Sequence, residues 1–198
     1  MDFHEILVEP LEKYLSVGNS ISLREWLRRD TAQAHARVDA LFGSCDFATE
    51  QGYTVFLLAQ ARAWETLRPL LDDDSMARAD ALRRDLETLD LPEPEPLRDV
   101  SLPAKASLGH RYVLEGSRLG STVLLRELAA SSPELSARAS AYLTESARIE
   151  PWKQLSTGLQ KDRDGCDNDG AIIDDALFVF GLFEEAWRAT DSAQAKIG

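Results

Sequence analysis

The 198-residue sequence contains only two cysteines, Cys45 and Cys166. Two thiols are too few for a disulfide framework, and they lack metal-site spacing. Long apolar runs are missing as well. No stretch approaches the roughly 18 consecutive apolar residues of a membrane helix. The opening Met1-Asp2-Phe3-His4-Glu5 has neither the basic region nor the apolar core of a secretion signal. Positive charge is scarce: 22 Lys and Arg face 34 Asp and Glu, a net charge of -12 that argues against nucleic acid or an anionic membrane as partner. Period-two alternation is absent, and no hairpin dipeptide stands between two alternating runs, which leaves no case for a sheet. The expectation is a cytoplasmic protein with no membrane partner.

What is present is helical. The chain is 44% hydrophobic and 28% charged, and its length suffices for one domain with a sizeable core. Helices are expected over Phe3–Leu15, Ser22–Phe42, Tyr53–Leu71, Met76–Leu89, Pro103–Ala129 and Ser136–Ser146. A shorter one follows Glu150-Pro151-Trp152. A last one runs from Asp167 or Asp169 to Trp187. Ser22-Leu23-Arg24-Glu25 is a capping box. Leu91-Pro92-Glu93-Pro94-Glu95-Pro96 is a stiff connector and the one candidate boundary, but neither half would bury a good core alone. Residues 1–198 therefore read as one all-α domain.

Within the helix 103–129, Glu115-Gly116-Ser117-Arg118-Leu119-Gly120-Ser121 stands out. Two glycines inside an apolar helical run cost roughly 1 kcal/mol each relative to alanine. Their four-residue spacing puts them on one face, without side chains to hold a neighbour off. Either two helices pack closely there, or the backbone approaches a ligand.

The three histidines are His4, His35 and His110. His4 reads as peripheral and His110 as exposed, just before the glycine helix. His35 lies at the edge of the apolar stripe Leu23, Trp26, Leu27, Ala34, Val38 and Leu41. Arg28, Thr31, Asp39 and Phe42 share its face. Asp39, four residues on, is placed to accept the other ring N–H, as carboxylates behind metal-bound histidines do. A solvated His–Asp pair is the alternative. One histidine cannot hold a structural zinc, which needs four ligands. It can be the one protein ligand of a haem iron, and a flat macrocycle would explain a facing helix without side chains.

The segment from Leu27-Arg28 through Thr31, His35 and Asp39, followed by Tyr112-Val113-Leu114-Glu115-Gly116-Ser117-Arg118-Leu119-Gly120-Ser121-Thr122-Val123-Leu124, resembles the haem oxygenases. The bacterial members are nearest, including those encoded beside bacteriophytochromes. The likeness runs from about residue 20 to Trp187. It implies an all-helical fold with haem between a proximal and a distal helix. His35 would be the iron ligand, supported by Asp39, and Gly116, Ser117 and Gly120 would face the reacting edge. Arg28, and less closely Lys153, match propionate partners. Thr31, Tyr112, Ser121, Phe178 and Phe183 would complete the haem-binding set. The implied activity is cleavage of haem b, both substrate and cofactor, to biliverdin, carbon monoxide and iron. It uses molecular oxygen and a reductase or ferredoxin electron donor.

The chain departs from the family's pattern at three positions. Ser117 stands where many members have an aspartate that organises proton delivery. Ser121 replaces a further glycine. Val179 replaces a polar residue. Ser117 and Ser121 favour a rival reading, a haem-binding or haem-sensing protein without turnover. A thiaminase-like helical enzyme is the third reading. It would need a catalytic cysteine in a pocket, and both cysteines fall in loop-like segments.

Overall fold

The computed structural model describes residues 22–160 and 169–194. The expected helix Phe3–Leu15, His4 and Cys166 lie outside the described residues. All regular structure among the described residues is helical.

The first segment is two helices rather than the expected one: α1 (Leu23–Asp30) and α2 (Ala32–Phe42). Ser22 opens α1 with the expected capping box, its Oγ accepting from the Glu25 N–H while Glu25 accepts from the Ser22 N–H. The chain bends at Thr31. Its hydroxyl donates to the Leu27 carbonyl at 2.6 Å, and its N–H donates to the same oxygen. A back-bonding threonine of this kind bends helices. Helix α3 (Glu50–Leu67) is capped by Thr49 and followed by a 3-10 turn at Arg68–Leu70, because Pro69 cannot extend it. Asp72 caps α4 (Asp73–Thr88) through the Ser75 N–H.

The proline-rich connector is strapped to the body. Arg62 donates to the Glu95 carbonyl, Thr66 accepts from the Leu97 N–H, and Arg83 pairs with Glu93 at 2.6 Å. After it comes α5 (Leu108–Ser131), the glycine helix. The expected helix over 136–146 is also two: α6 (Pro133–Arg138) and α7 (Ala141–Ser146). The break has a tertiary cause. Asp85 on α4 accepts from the N–H groups of Ala141 and Tyr142 at 2.9 and 2.8 Å, so α7 is capped from another helix. Its far end is closed by Arg118 on α5, which donates to the carbonyls of Glu145 and Arg148, both at 3.1 Å. Helix α8 (Glu150–Leu159) carries Pro151 in its first turn, where a missing N–H costs nothing.

The last helix, α9 (Asp169–Gln194), is the organising element. It packs against α2, α3 and α5. Phe42 meets Phe56, Phe183 and Trp187 edge-on in the core between α2, α3 and α9. Helix α5 comes close to α9 at Gly109. A Cβ there would collide with the Ile172 carbonyl oxygen and lie 2.8 Å from the Ala176 nitrogen.

Candidate functional site

Helices α2 and α5 share α9 as their support, so the histidine helix and the glycine helix are held on one frame. On α2, His35 is 56% exposed. Its Nδ1 lies 3.0 Å from the Asp39 carboxylate, the pairing expected from their spacing. With Nδ1 engaged, Nε2 is the ring nitrogen left for a ligand. The ring meets Phe180 of α9 edge-on at 5.6 Å between centroids. Two residues along, Arg37 donates to the buried Glu184 of α9 at 2.9 Å, and Arg188 donates to the other oxygen of Glu184. That buried carboxylate pins the histidine helix to the frame.

On α5 the face at helical spacing is Gly116, Leu119, Gly120 and Val123. Leu119 and Val123 are exposed, Val123 by 59%, although both are large and apolar. Leu177 on α9 is exposed as well, and Gly181 lies open one turn further on. Among the described residues, a Cβ built on Gly120 would meet nothing within 4 Å, and one on Gly116 would meet only the Trp152 ring, at 3.6 Å and beyond. Close packing therefore does not require either glycine. Among the described residues, then, no neighbour presses on this face closely enough to demand a missing side chain.

Ser117 is at the helix surface, but its hydroxyl is committed inward. It donates to the Leu114 carbonyl and accepts from Arg78 on α4, both at 2.8 Å. Arg78 is fully buried and also donates to Ser146 Oγ and to the Leu114 carbonyl, with its guanidinium 4.6 Å over the Trp64 ring. All three of these acceptors are neutral, and burial pulls the guanidinium below its ordinary pKa. Next to it, Arg118 and Glu115 form a buried ion pair at 2.5 Å. Ser121 is buried and donates back to the Ser117 carbonyl, so it is turned into the helix packing rather than toward the open face.

The other expected residues divide. Thr31 is buried at the α1–α2 bend. Tyr112 is half-buried against Trp152 at 5.8 Å, and burial pushes its phenol up. Arg28 is exposed, and among the described residues no carboxylate lies within ion-pair distance of it. Lys153 is exposed and paired with Glu150 at 2.9 Å, an arrangement local to α8. Phe178 is half-buried and meets His110 edge-on at 6.1 Å. Phe183 is not brought to this face: it is buried in the core against Phe42. Val179 is buried too, and Phe180 is the α9 aromatic that touches His35.

His110 corrects its expectation. It is buried, inside the first turn of α5, and its Nδ1 accepts from the Ser107 N–H in a capping box. Sequence reasoning missed it because histidine is an unusual residue for that capping position. Arg78 and Phe180 were missed because nothing near them in sequence marks them; each is brought in by a different helix.

Among the described residues, no group of three or more His, Cys, Asp and Glu could hold a metal ion, and no helix is long and apolar enough to cross a membrane. Among the described residues the arrangement is all-helical, with one exposed imidazole and a bare helix face on a shared frame. No family model matches the chain. It is 32% identical over 141 residues to heme oxygenase PigA of Pseudomonas aeruginosa, covering 63% of this chain and 71% of that protein. Its fold is that of the Neisseria meningitidis heme oxygenase solved with NO and CO bound, with a TM-score of 0.65 at 22% identity, covering 86% of this chain and 92% of that one. The chain belongs to the haem oxygenase family.

Proposed function

We propose that the protein cleaves haem b to biliverdin, carbon monoxide and iron, using molecular oxygen and electrons from a reductase or ferredoxin. The observation that carries this reading is the bare face of α5. Two glycines cost a helix roughly 2 kcal/mol in total, and among the described residues the Trp152 ring makes only ordinary contact at Gly116 and nothing packs at Gly120, so neither site needs glycine for packing. A flat ligand lying against the backbone does. The donor set fits haem: one histidine with Nε2 to offer, Nδ1 tied to a carboxylate, and exposed apolar side chains alongside.

Haem, when bound, supplies a redox-active iron and is itself the ring that is opened. The protein's part follows from its own atoms. Neutral His35 offers the Nε2 lone pair, and Asp39 accepts from Nδ1–H, which sets the tautomer and fixes the orientation of the ring. The backbone at Gly116 and Gly120 allows approach and restricts the space above the ring. Leu119, Val123 and Leu177 keep water sparse around it. Ser117 has one proton, and it is spent on the Leu114 carbonyl, while Arg78 occupies one of its lone pairs. Ser117 is thus an acceptor toward the site, held in place by Arg78, and protons reach the site from water that Ser117 orients. Arg28, exposed and with no ion pair among the described residues, would meet a propionate, and Lys153 would first have to leave Glu150.

Neither the relatives nor the described residues favour the thiaminase-like reading. Burial pushes the Cys45 thiol up to about 12, so it is no nucleophile near neutral pH.

The test is hemin titration followed by reductant and oxygen. Wild type is expected to bind one hemin with a histidine-ligated spectrum and to release biliverdin. His35→Ala should lose the axial bond, with added imidazole restoring the spectrum. A Soret band in His35→Ala identical to wild type removes His35 as the ligand. Hemin bound through His35 without any ring opening would instead support the storage or sensing reading.

A further inference from the structure

We infer that Trp152 is a specificity-determining residue of this site: its indole closes the Gly116 end of the bare face of α5 and so decides how a flat macrocycle is seated. The inference rests on the haem reading above. Trp152 stands on the short helix α8, yet it is only 8% exposed. Its ring carbons Cζ3, Cη2 and Cε3 lie 3.6–4.0 Å from the position of a Cβ on Gly116. The same ring meets Tyr112 of α5 at 5.8 Å, and the Arg24 guanidinium of α1 sits 5.8 Å over it. One side chain therefore links the helix that leads into His35 with the glycine helix.

One helical turn further, about 6 Å along the axis, the situation is reversed. A Cβ on Gly120 would have open space around it, and Leu119 and Val123 are exposed. The bare face is thus closed at Gly116 and open from Gly120 onward. A planar ligand cannot share the volume of an indole, so it lies over Gly120 with one edge against Trp152. A wall at one edge limits rotation of the ring in its own plane, because a substituent that meets the indole there cannot pass it. Arg24 holds the indole through its cation–π contact and brings positive charge to that end. Rotation decides which ring carbon comes under the bare backbone, so Trp152 acts on which carbon is attacked without touching the proton route.

The experiment compares wild type with Trp152→Ala, Trp152→Leu and Trp152→Phe, each loaded with hemin or with an iron porphyrin bearing a long alkyl chain on one edge. Two readouts are independent of turnover: the affinity ratio for the two porphyrins, and the proton NMR spectrum of the ferric cyanide complex, which reports seating. Product analysis adds the biliverdin isomer ratio. Trp152→Ala and Trp152→Leu are expected to shift the affinity ratio toward the bulkier porphyrin by about tenfold or more. They should also give a second seating and a mixed isomer pattern, while Trp152→Phe stays close to wild type. If Trp152→Ala does not fold, Trp152→Leu decides. A folded variant of lower melting temperature with unchanged affinity ratio, seating and isomers would make Trp152 a packing residue and overturn the inference, leaving the haem reading intact. Failure of wild type to bind hemin through His35 would overturn both.

Discussion

At the scale of single residues, the glycines and the histidines give the sharpest expectations. Gly120 has open space around its missing side chain, so alanine there introduces no clash and restores helix propensity. Gly120→Ala should stabilise the apoprotein by up to about 1 kcal/mol in denaturant melts while slowing haem cleavage. An apoprotein that is instead destabilised would return the glycine to a packing role. His110 has the opposite logic. Burial lowers its pKa from the ordinary 6.5, with the Asp175 carboxylate opposing more weakly. The protonated ring cannot accept from the Ser107 N–H, so the folded state holds the neutral form. The unfolded chain then binds the proton more readily, and stability falls as pH drops below about 6.5. His110→Gln keeps an acceptor at a position where glutamine caps well, and should remove part of that slope in thermal melts between pH 5 and 7.5.

At the scale of elements, the short helix α7 shows how much of the secondary structure is imposed from outside. Six residues are far too few to be helical alone. Asp85 caps its start and Arg118 closes its end, and both side chains are buried on other helices. Asp85→Ala leaves two N–H groups, one of them buried, without their acceptors and should cost about 1–3 kcal/mol in chemical denaturation, with α7 exchanging its amide hydrogens first. A loss below about 0.5 kcal/mol would mean that water caps α7 equally well. The same kind of tie sets α2 in place: Glu184 on α9 receives Arg37 from the His35 helix. The site is therefore positioned by ties to α9 rather than by contact between its own two walls.

At the scale of the whole molecule, ligand binding and folding are linked. A ligand that binds only the folded chain stabilises it by about 2.7 kcal/mol at one hundred times its dissociation constant. For a chain of this length that corresponds to a rise of about 5–11 °C in Tm. Hemin in that excess should raise the Tm of wild type by this amount and that of His35→Ala by less. Equal shifts in both would show that the axial bond adds nothing to binding.

The all-helical class, the capping box at Ser22, the His35–Asp39 pair and the bare spacing of Gly116 and Gly120 were all legible in the sequence. Each depends on residues within about four positions of one another, where helical geometry alone says which side chains meet. Other features came only with the tertiary structure. The bend at Thr31 and the split between α6 and α7 break helices whose periodicity runs on. His110 and Phe183 are buried where local pattern allowed exposure. Arg78 reaches Ser117 across 39 residues and Asp85 reaches Tyr142 across 57. Most consequential, periodicity shows that two glycines share a face but not what stands opposite it. Only the packed structure could show open space over Gly120 and an indole over Gly116, because the neighbours of a helix face are supplied by segments distant in sequence.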